Sequence, residues 1–181
     1  MEHTETTLYS EVKFAGRIFT VKEDLVALEN GEEARREVVC HNGGVCVAAL
    51  TDADELLLVR QFRYPYGEVL MELPAGKLEL GEDPFAAAIR EQLEETGTTG
   101  RDYISLGTLY PTPGYCGEVI HMWACRVADM QEQRLDPGEF LDVVKLPLEK
   151  AQALVMENKI PDAKTQVAIL KCAALVRLGK L

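Results

Sequence analysis

GKLELGEDPFAAAIREQLEETG, residues 76–97, is the stretch that decides the fold of this chain. It predicts a loop that leads into one short helix. Asp83 can cap the N-terminus of this helix, Pro84 suits its first position, and Gly97 suits the residue just past its last turn. Both ends of the helix are therefore specified by local residues.

The predicted helix has one apolar side and one acidic side. At 100° per residue, the apolar side consists of Phe85, Ala88, Ile89, Leu93 and Thr96. We therefore expect this side to face the core.

Three carboxylates, those of Glu91, Glu94 and Glu95, crowd within one turn on the acidic side. Like charges at this spacing destabilise an isolated helix by about 0.2–0.5 kcal/mol per pair. A bound cation would reverse the sign of that effect. Oxygen ligands with several negative charges suit a hard ion such as Mg²⁺, or Mn²⁺ as a substitute. The alternative is that the acidic side simply faces solvent.

The composition limits the partners and the compartment. A chain of 181 residues, 47% hydrophobic, suits one core-bearing domain with a small accessory unit. The formal charge of −11 opposes binding to nucleic acid or to anionic membranes, and no apolar run approaches the roughly 20 residues of a membrane span. The five cysteines are odd in number and contain no Cys-x-x-Cys pair, which predicts free thiols in a reducing cytoplasm.

The rest of the chain predicts an α/β fold. Residues 1–43 contain short alternating runs broken by glycines, which indicates an antiparallel β-hairpin unit that docks on the main domain or on a second copy of the chain. Residues 44–181 form the main domain, with strand-like runs before and after the helix and two more helices at the end. We expect a mixed sheet between helical layers. Residues 45–50 read as its central strand.

The spacing Gly-x5-Glu-x7-Arg-Glu-x2-Glu-Glu-x-Gly within residues 76–97 resembles the signature box of the Nudix hydrolases. The resemblance implies a Nudix-type α/β/α sandwich and a magnesium site made by Glu91, Glu95 and the carbonyl of Ala75, with Glu94 assisting or solvated. Arg90 is expected to hold a carboxylate such as that of Glu82 or Glu91 by a bidentate contact. The remaining box positions with structural roles are Gly76, Glu82 and Gly97.

Motifs outside the box are similar to the ADP-ribose pyrophosphatase branch of this family. They include residues 16–19, 36–39, 60–63, 73–77 and the pair Pro113-Gly114, which lies sixteen residues past Gly97. The branch implies hydrolysis of ADP-ribose to AMP and ribose 5-phosphate by water, and a homodimer formed through the N-terminal strands. The substrate-binding residues implied by position are Arg35 or Arg36, Arg63, Phe19 from a partner subunit, Pro113, Gly114 and Glu118.

Glu139 aligns with the loop glutamate that serves as general base in this branch, with Asp136 and Asp142 as nearby alternatives.

Two other functions stay open: hydrolysis of another sugar nucleotide or of a damaged nucleotide, and a module that senses ADP-ribose without cutting it. The box departs from the family pattern at Gln92, where an aliphatic residue is usual. We expect the Gln92 amide to need a hydrogen-bond partner or an edge position.

Overall fold

A computed structural model describes residues 3–181 of the chain. The elements, in chain order, are β1 (Thr6–Ala15), β2 (Phe19–Ala27), β3 (Glu33–His41), β4 (Gly44–Leu50), β5 (Glu55–Arg63), β6 (Glu68–Glu72), β7 (Ala75–Lys77), α1 (Pro84–Thr96), β8 (Thr98–Leu109), β9 (Ile120–Met130), β10 (Leu141–Pro147), α2 (Leu148–Met156) and α3 (Ala163–Arg177). They form two compact units, which are described separately.

The first unit comprises the chain up to Gly43 and the segment Tyr110–Val119. Its strands β1, β2 and β3 form an antiparallel sheet in that order. The loop segment joins this unit through Val39, whose N–H donates to the Tyr115 carbonyl at 2.8 Å and whose carbonyl accepts from Gly117 N–H at 2.9 Å. The predicted N-terminal antiparallel unit is therefore confirmed, with three strands.

The second unit comprises Gly44–Leu109 and Ile120–Leu181. Its sheet has the order β10-β5-β4-β9-β8, with β6 beside β5 and β7 beside β4. Strands β4 and β9 are parallel, whereas the other pairs are antiparallel, so the sheet is mixed as predicted. Strand β4 pairs with β5 at Leu50 and Leu56, and at its other end it pairs with β7 instead. This divergence makes room for β7 beside the central strand.

Helices cover both faces of this sheet. The central strand β4 is therefore buried on both sides, and its side chains alternate between two cores. Cys46, Ala48 and Leu50 belong to the core that includes α2 and α3. Val45, Val47 and Ala49 belong to a second core, which Ala87 and Ala88 of α1 complete. The α/β/α layering predicted from the sequence is thus confirmed.

Helix α1 has the ends that the sequence predicts. The Asp83 side chain accepts from the N–H groups of Phe85 and Ala86, and Pro84 is the first helical residue. Gly97 adopts a left-handed conformation with φ 63°, and its N–H donates to the Leu93 carbonyl. The groups that Asp83 and Gly97 satisfy lie within four residues of them in sequence, which explains why local reasoning succeeded here.

The predicted buried face of α1 is partly wrong. Phe85 and Ile89 are 40% and 36% exposed, whereas the buried residues are Ala87, Ala88, Gln92, Glu95 and Thr96. The small side chains of Ala87 and Ala88 let the helix approach the sheet closely. Gln92 and Glu95 lie four and seven residues after Ala88, so they are on the same side of the helix and are buried with it. The helix is rotated toward the acidic side, and Glu95 lies inside rather than in solvent.

Two short strands were not predicted. Strands β6 and β7 lie in the stretch that the sequence suggests only as an approach to the helix, and β7 has three residues. Their pairing is set by tertiary contacts with β5 and β4, since strands this short carry too little alternation of their own.

Among residues 3–181, no helix is long and apolar enough to cross a membrane.

Candidate active site

The candidate site begins where β7 faces α1, at Gly76 and Glu91. A Cβ atom placed on Gly76 would overlap the Glu91 carboxylate, at less than the 3.0 Å that real Cβ atoms keep from other heavy atoms. Only glycine leaves this space, because the carboxylate lies directly against the strand backbone. The spacing of the two residues in sequence therefore reflects a close contact in space.

Glu95, one turn further along α1, is the most buried carboxylate of the box at 2% exposure. The N–H of Ala75 on β7 donates to its Oε2 atom at 2.8 Å. Burial raises the pKa of Glu95 to about 8, although the Ala75 hydrogen bond acts in the opposite direction. Burial also raises the pKa of Glu91, against the effect of Arg90. Negative charge at these two positions is thus only partly compensated by the protein.

Arg90 connects the remaining carboxylates. Its Nε and Nη2 atoms donate to the two oxygens of Glu82 at 3.0 and 3.1 Å, and its Nη1 atom donates to Glu91 at 2.7 Å and to Glu94 at 3.0 Å. The Glu82 hydrogen bonds are the main cause of the raised pKa of Arg90. Glu82 in turn accepts from the Glu79 N–H at 2.9 Å, which closes the loop before α1. The guanidinium therefore fixes three carboxylates and the loop together.

The donor set suits a hard divalent cation. The carbonyl of Ala75 and the carboxylates of Glu91 and Glu95 are all oxygen ligands, of the kind Mg²⁺ and Mn²⁺ prefer. Glu94, half-buried, borders the same turn and is held by Arg90. Across residues 3–181, no three acidic, histidine or cysteine side chains converge into a ready metal cage. The fit therefore rests on the buried, incompletely compensated carboxylates and on the chemistry of their oxygens.

Glu139 lies close enough to this site to act on it electrostatically. Its negative charge contributes to the raised pKa of both Glu91 and Glu95. Its Oε1 atom accepts from the Gln61 amide at 3.4 Å, and its Oε2 atom accepts from the Asp136 N–H at 3.4 Å. Gln61 is a contact that the sequence did not predict. Its nearness to the loop follows from the pairing of Gln61 with Leu141 across β5 and β10.

Arg63, at the end of β5, forms a bidentate ion pair with the buried carboxylate of Glu72 on β6. Its Nε atom donates to Oε1 at 2.6 Å and its Nη2 atom to Oε2 at 2.9 Å. Within residues 3–181, the hydrogen bonds of this guanidinium leave Nη1 without a protein acceptor, and 37% of the side chain is exposed. The positive charge of Arg63 also opposes the rise in the pKa of Glu95, which places the two groups near each other.

The other predicted substrate residues lie in the first unit. Arg35 donates to Glu23 at 2.5 Å, and Arg36 forms a bidentate pair with Glu5. Phe19 is 42% exposed, with its ring 5.9 Å from that of Phe14.

Pro113 and Gly114 in the loop of this unit are exposed. Glu118 lies 3.6 Å from Nδ1 of His41, which accepts a hydrogen bond from the Gly43 N–H at 3.0 Å. These two residues therefore form a small polar cluster within the first unit.

Gln92, the unusual residue of the box, has partners for its buried amide. Its Nε2 atom donates to Thr98 Oγ1 at 3.1 Å, and its Oε1 atom accepts from the Tyr103 hydroxyl at 2.7 Å and lies 3.5 Å from Cys125 Sγ. The expectation of a hydrogen-bond partner is confirmed. A polar neighbourhood on β8 and β9 thus accommodates a glutamine where an aliphatic residue is usual.

Comparisons with known proteins agree with this arrangement. The family model described as "NUDIX domain" matches residues 41–166, well over half of the chain. A Bacillus subtilis protein, "ADP-ribose pyrophosphatase", is 38% identical over 167 residues, which cover 91% of this chain and 90% of that protein. A Bacillus methanolicus protein, "Methanol dehydrogenase activator", has the same identity and coverage.

A crystal structure titled "Crystal structure of ADP compounds hydrolase" superposes with a TM-score of 0.85 at 24% identity, covering 98% of this chain and 97% of that one. This likeness supports the fold. The family model also matches the sequence, over a range that includes the box with the carboxylates, and the two Bacillus relatives match most of the chain. The chain therefore belongs to the NUDIX family.

Proposed function

We propose that this protein hydrolyses the pyrophosphate bond of ADP-ribose, giving AMP and ribose 5-phosphate, with Mg²⁺ as the metal. The observation that carries this proposal is a pair of carboxylates, the partly buried Glu91 against Gly76 and the buried Glu95 on the Ala75 N–H. The long match to a relative named ADP-ribose pyrophosphatase supports the choice of substrate. Cleavage of a diphosphate needs local positive charge, and this pair of acidic side chains can recruit it as a cation.

In this proposal, Ala75, Glu91 and Glu95 hold the metal, and Glu94 assists. When bound, the metal polarises a phosphoryl oxygen and lowers the pKa of a coordinated water. Arg90 keeps the carboxylates in place through its contacts with Glu82, Glu91 and Glu94.

Glu139 takes the proton from the attacking water, and its position in the loop before β10 lets it adjust when substrate is bound. We expect Glu139→Gln to lower kcat by about 10²–10⁴-fold, the range of a general base, with KM nearly unchanged. Asp136→Asn and Asp142→Asn are the matched controls. Near-normal kcat in Glu139→Gln combined with a large loss in either control would transfer the role to that aspartate.

The substrate is held by Arg63, whose Nη1 atom is directed away from Glu72 and is available to a phosphate oxygen. Arg35 or Arg36 binds phosphate or ribose, and Phe19 of the partner subunit stacks on the adenine ring. The further substrate contacts in this proposal are Pro113, Gly114 and Glu118.

The protein acts as a homodimer through its N-terminal sheet. Every residue of β1 is exposed, and Leu8, Tyr9, Val12 and Phe14 are each more than half exposed. An edge strand with this much apolar surface is typical of a protein interface. Sedimentation equilibrium of the wild type and of Val12→Lys tests this. We expect a dimer for the wild type and a weaker dimer for Val12→Lys, and a wild-type monomer at all concentrations would contradict the proposal.

The five free thiols suit a reducing cytoplasm, which is the compartment we propose.

Release of AMP from ADP-ribose tests the function directly. The purified protein is incubated with Mg²⁺ and a panel containing ADP-ribose, an ADP-hexose, GDP-mannose and an oxidised nucleotide, and products are separated by chromatography. We expect the highest kcat/KM for ADP-ribose and no turnover in EDTA. Faster cleavage of another panel member would reassign the substrate. Tight ADP-ribose binding without product at any Mg²⁺ or Mn²⁺ concentration would indicate a sensor.

A further inference from the structure

A cluster of four charged side chains lies behind the candidate site, in the second unit. Glu72 on β6, only 2% exposed, is paired with Arg63 and also with Lys164, the second residue of α3. Lys164 Nζ donates in addition to Asp162 Oδ2 at 2.9 Å. Two positive and two negative groups therefore meet across elements that are far apart in sequence, and Glu72 and Lys164 are the most buried of the four.

Glu72 and Lys164 both stay charged in this cluster. Burial opposes the charge of Glu72, but Arg63 and Lys164 outweigh it and lower its pKa. Burial likewise opposes the charge of Lys164, and the attraction of Asp162 and Glu72 raises its pKa above the ordinary value. Separating the two partners of a buried ion pair would leave an uncompensated charge on each. The Lys164–Glu72 pair therefore holds the start of α3 against β6.

The same turn of α3 also holds the backbone next to Glu72. Thr165, which is fully buried, accepts a hydrogen bond from the Leu73 N–H at 2.9 Å through its hydroxyl oxygen. Its hydroxyl donates to Asp162 Oδ2 at 2.5 Å, and its own N–H donates to the same oxygen at 3.0 Å. Asp162 thus fixes the direction of the Thr165 hydroxyl, so that its lone pair faces the Leu73 N–H.

The residues that follow are held in turn. The Val47 N–H on β4 donates to the Pro74 carbonyl at 3.0 Å, and the Ala75 N–H donates to Glu95 at 2.8 Å. From Glu72 to Ala75, every residue therefore has at least one fixed polar contact. The contacts of Lys164 with Glu72 and of Thr165 with Leu73 both come from α3, and the Thr165 contact lies two residues before the Ala75 carbonyl.

We propose that Thr165, oriented by Asp162 and supported by the Lys164–Glu72 ion pair, is a positioning residue for the metal site, because it holds the backbone at Leu73, two residues before the Ala75 carbonyl. The inference rests on the proposed function for its metal. It assigns a role to the first turn of α3, which lies about 70 residues beyond the box in sequence. Groups behind metal ligands typically change metal affinity or activity by about 10–100-fold when they are removed.

Thr165→Val tests this proposal, because valine keeps the shape and removes the hydroxyl. Thr165→Ser restores the hydroxyl and is the matched rescue variant. Thr51→Val is the control for a merely structural hydroxyl: Thr51 Oγ1 accepts from the N–H groups of Ala53 and Glu55 at the turn after β4, at the end of that strand opposite β7.

Two readouts avoid dependence on turnover. Binding of Mn²⁺ without substrate is measured from the free-Mn²⁺ signal in electron paramagnetic resonance. Hydrogen exchange of the peptide around residues 70–77 reports the order of the strand. For Thr165→Val we expect a Kd for Mn²⁺ raised at least about tenfold and faster exchange of that peptide, with both within about threefold of wild type for Thr165→Ser and Thr51→Val.

The Mg²⁺ concentration for half-maximal AMP release should rise in parallel in Thr165→Val. A folded Thr165→Val protein that binds Mn²⁺ as tightly as wild type would overturn the inference, and so would equal losses in Thr51→Val. A wild-type protein that binds Mn²⁺ but releases no AMP from ADP-ribose would instead contradict the proposed substrate. The two failures are therefore distinguishable.

Discussion

Replacement of Gly76 by alanine tests whether the reaction depends on the Glu91 carboxylate lying against β7. The added Cβ atom would fall inside the carboxylate, whereas carbon atoms need about 3.5–4.0 Å between them. The Glu91 side chain must therefore swing away from the strand. Its 2.7 Å contact with Arg90 is disturbed at the same time.

The effect on stability is expected to be small. Gly76 is absent from the residues with positive φ, so alanine fits the backbone there and stabilises by about 0.4–1 kcal/mol through the unfolded chain. Loss of the partly exposed Arg90–Glu91 pair costs about 1 kcal/mol at most. The two effects nearly cancel, so Tm should change by less than about 4 °C.

The effect on activity is expected to be large. Displacing a metal ligand should lower kcat/KM by at least about 100-fold, since groups one shell further out already account for 10–100-fold. A 100-fold loss corresponds to about 2.7 kcal/mol in the activation free energy. AMP release over a range of Mg²⁺ concentrations, together with calorimetric unfolding, measures both quantities.

Glu91→Gln and the double variant complete the experiment. If alanine at position 76 acts only by displacing Glu91, Gly76→Ala in the Glu91→Gln background should cause little further loss, because the two changes remove the same interaction. A rate for Gly76→Ala within threefold of wild type would refute the reasoning. A fall in Tm of more than about 10 °C would also refute it, since the loss would then come from unfolding.

Three further changes follow from the buried groups. Glu95→Gln should lower turnover by orders of magnitude, yet it should unfold in EDTA at the wild-type Tm or above. The raised pKa of Glu95 means that its charge opposes folding as pH rises from about 4.5 towards 8, and glutamine carries no such charge. A large drop in Tm would contradict this. Glu72→Gln should flatten the acid side of the stability curve. The lowered pKa of Glu72 adds stability above its unfolded pKa of about 4.5, and this stability is lost as pH falls towards the lower folded pKa. Denaturant titrations from pH 3 to 7 measure the slope. Gln92→Leu should cost about 1–3 kcal/mol, with kcat/KM unchanged, because the Tyr103 hydroxyl would lose the acceptor for its proton. A more stable variant would show that this hydroxyl finds another acceptor.

The ends of α1 and the central strand β4 could be predicted from the sequence because their causes are local. Asp83 and Gly97 satisfy backbone groups a few residues away, and the run from Val45 to Leu50 is apolar at every position, as a strand buried on both faces requires. The carboxylates of the box could also be located, since their spacing alone places them within one turn of the helix.

The buried face of α1 could not be predicted from periodicity. Hydrophobicity favours the side of Phe85 and Ile89, but the small Ala88 permits the closest approach to the sheet and carries Gln92 and Glu95 inside with it. The cost of burying these polar groups is offset by partners on other elements, and partners of this kind leave no periodic pattern.

By itself, the sequence determined a capped acidic helix, a mixed α/β fold and the group of residues that suits a divalent cation. The tertiary structure alone decided that Glu95 is buried on the Ala75 N–H and that the Thr165 hydroxyl meets Leu73 across 92 residues. Local hydrogen bonds and side-chain spacing can be inferred from a few neighbouring residues. The burial and pairing of polar groups depend on which surfaces meet when distant elements pack.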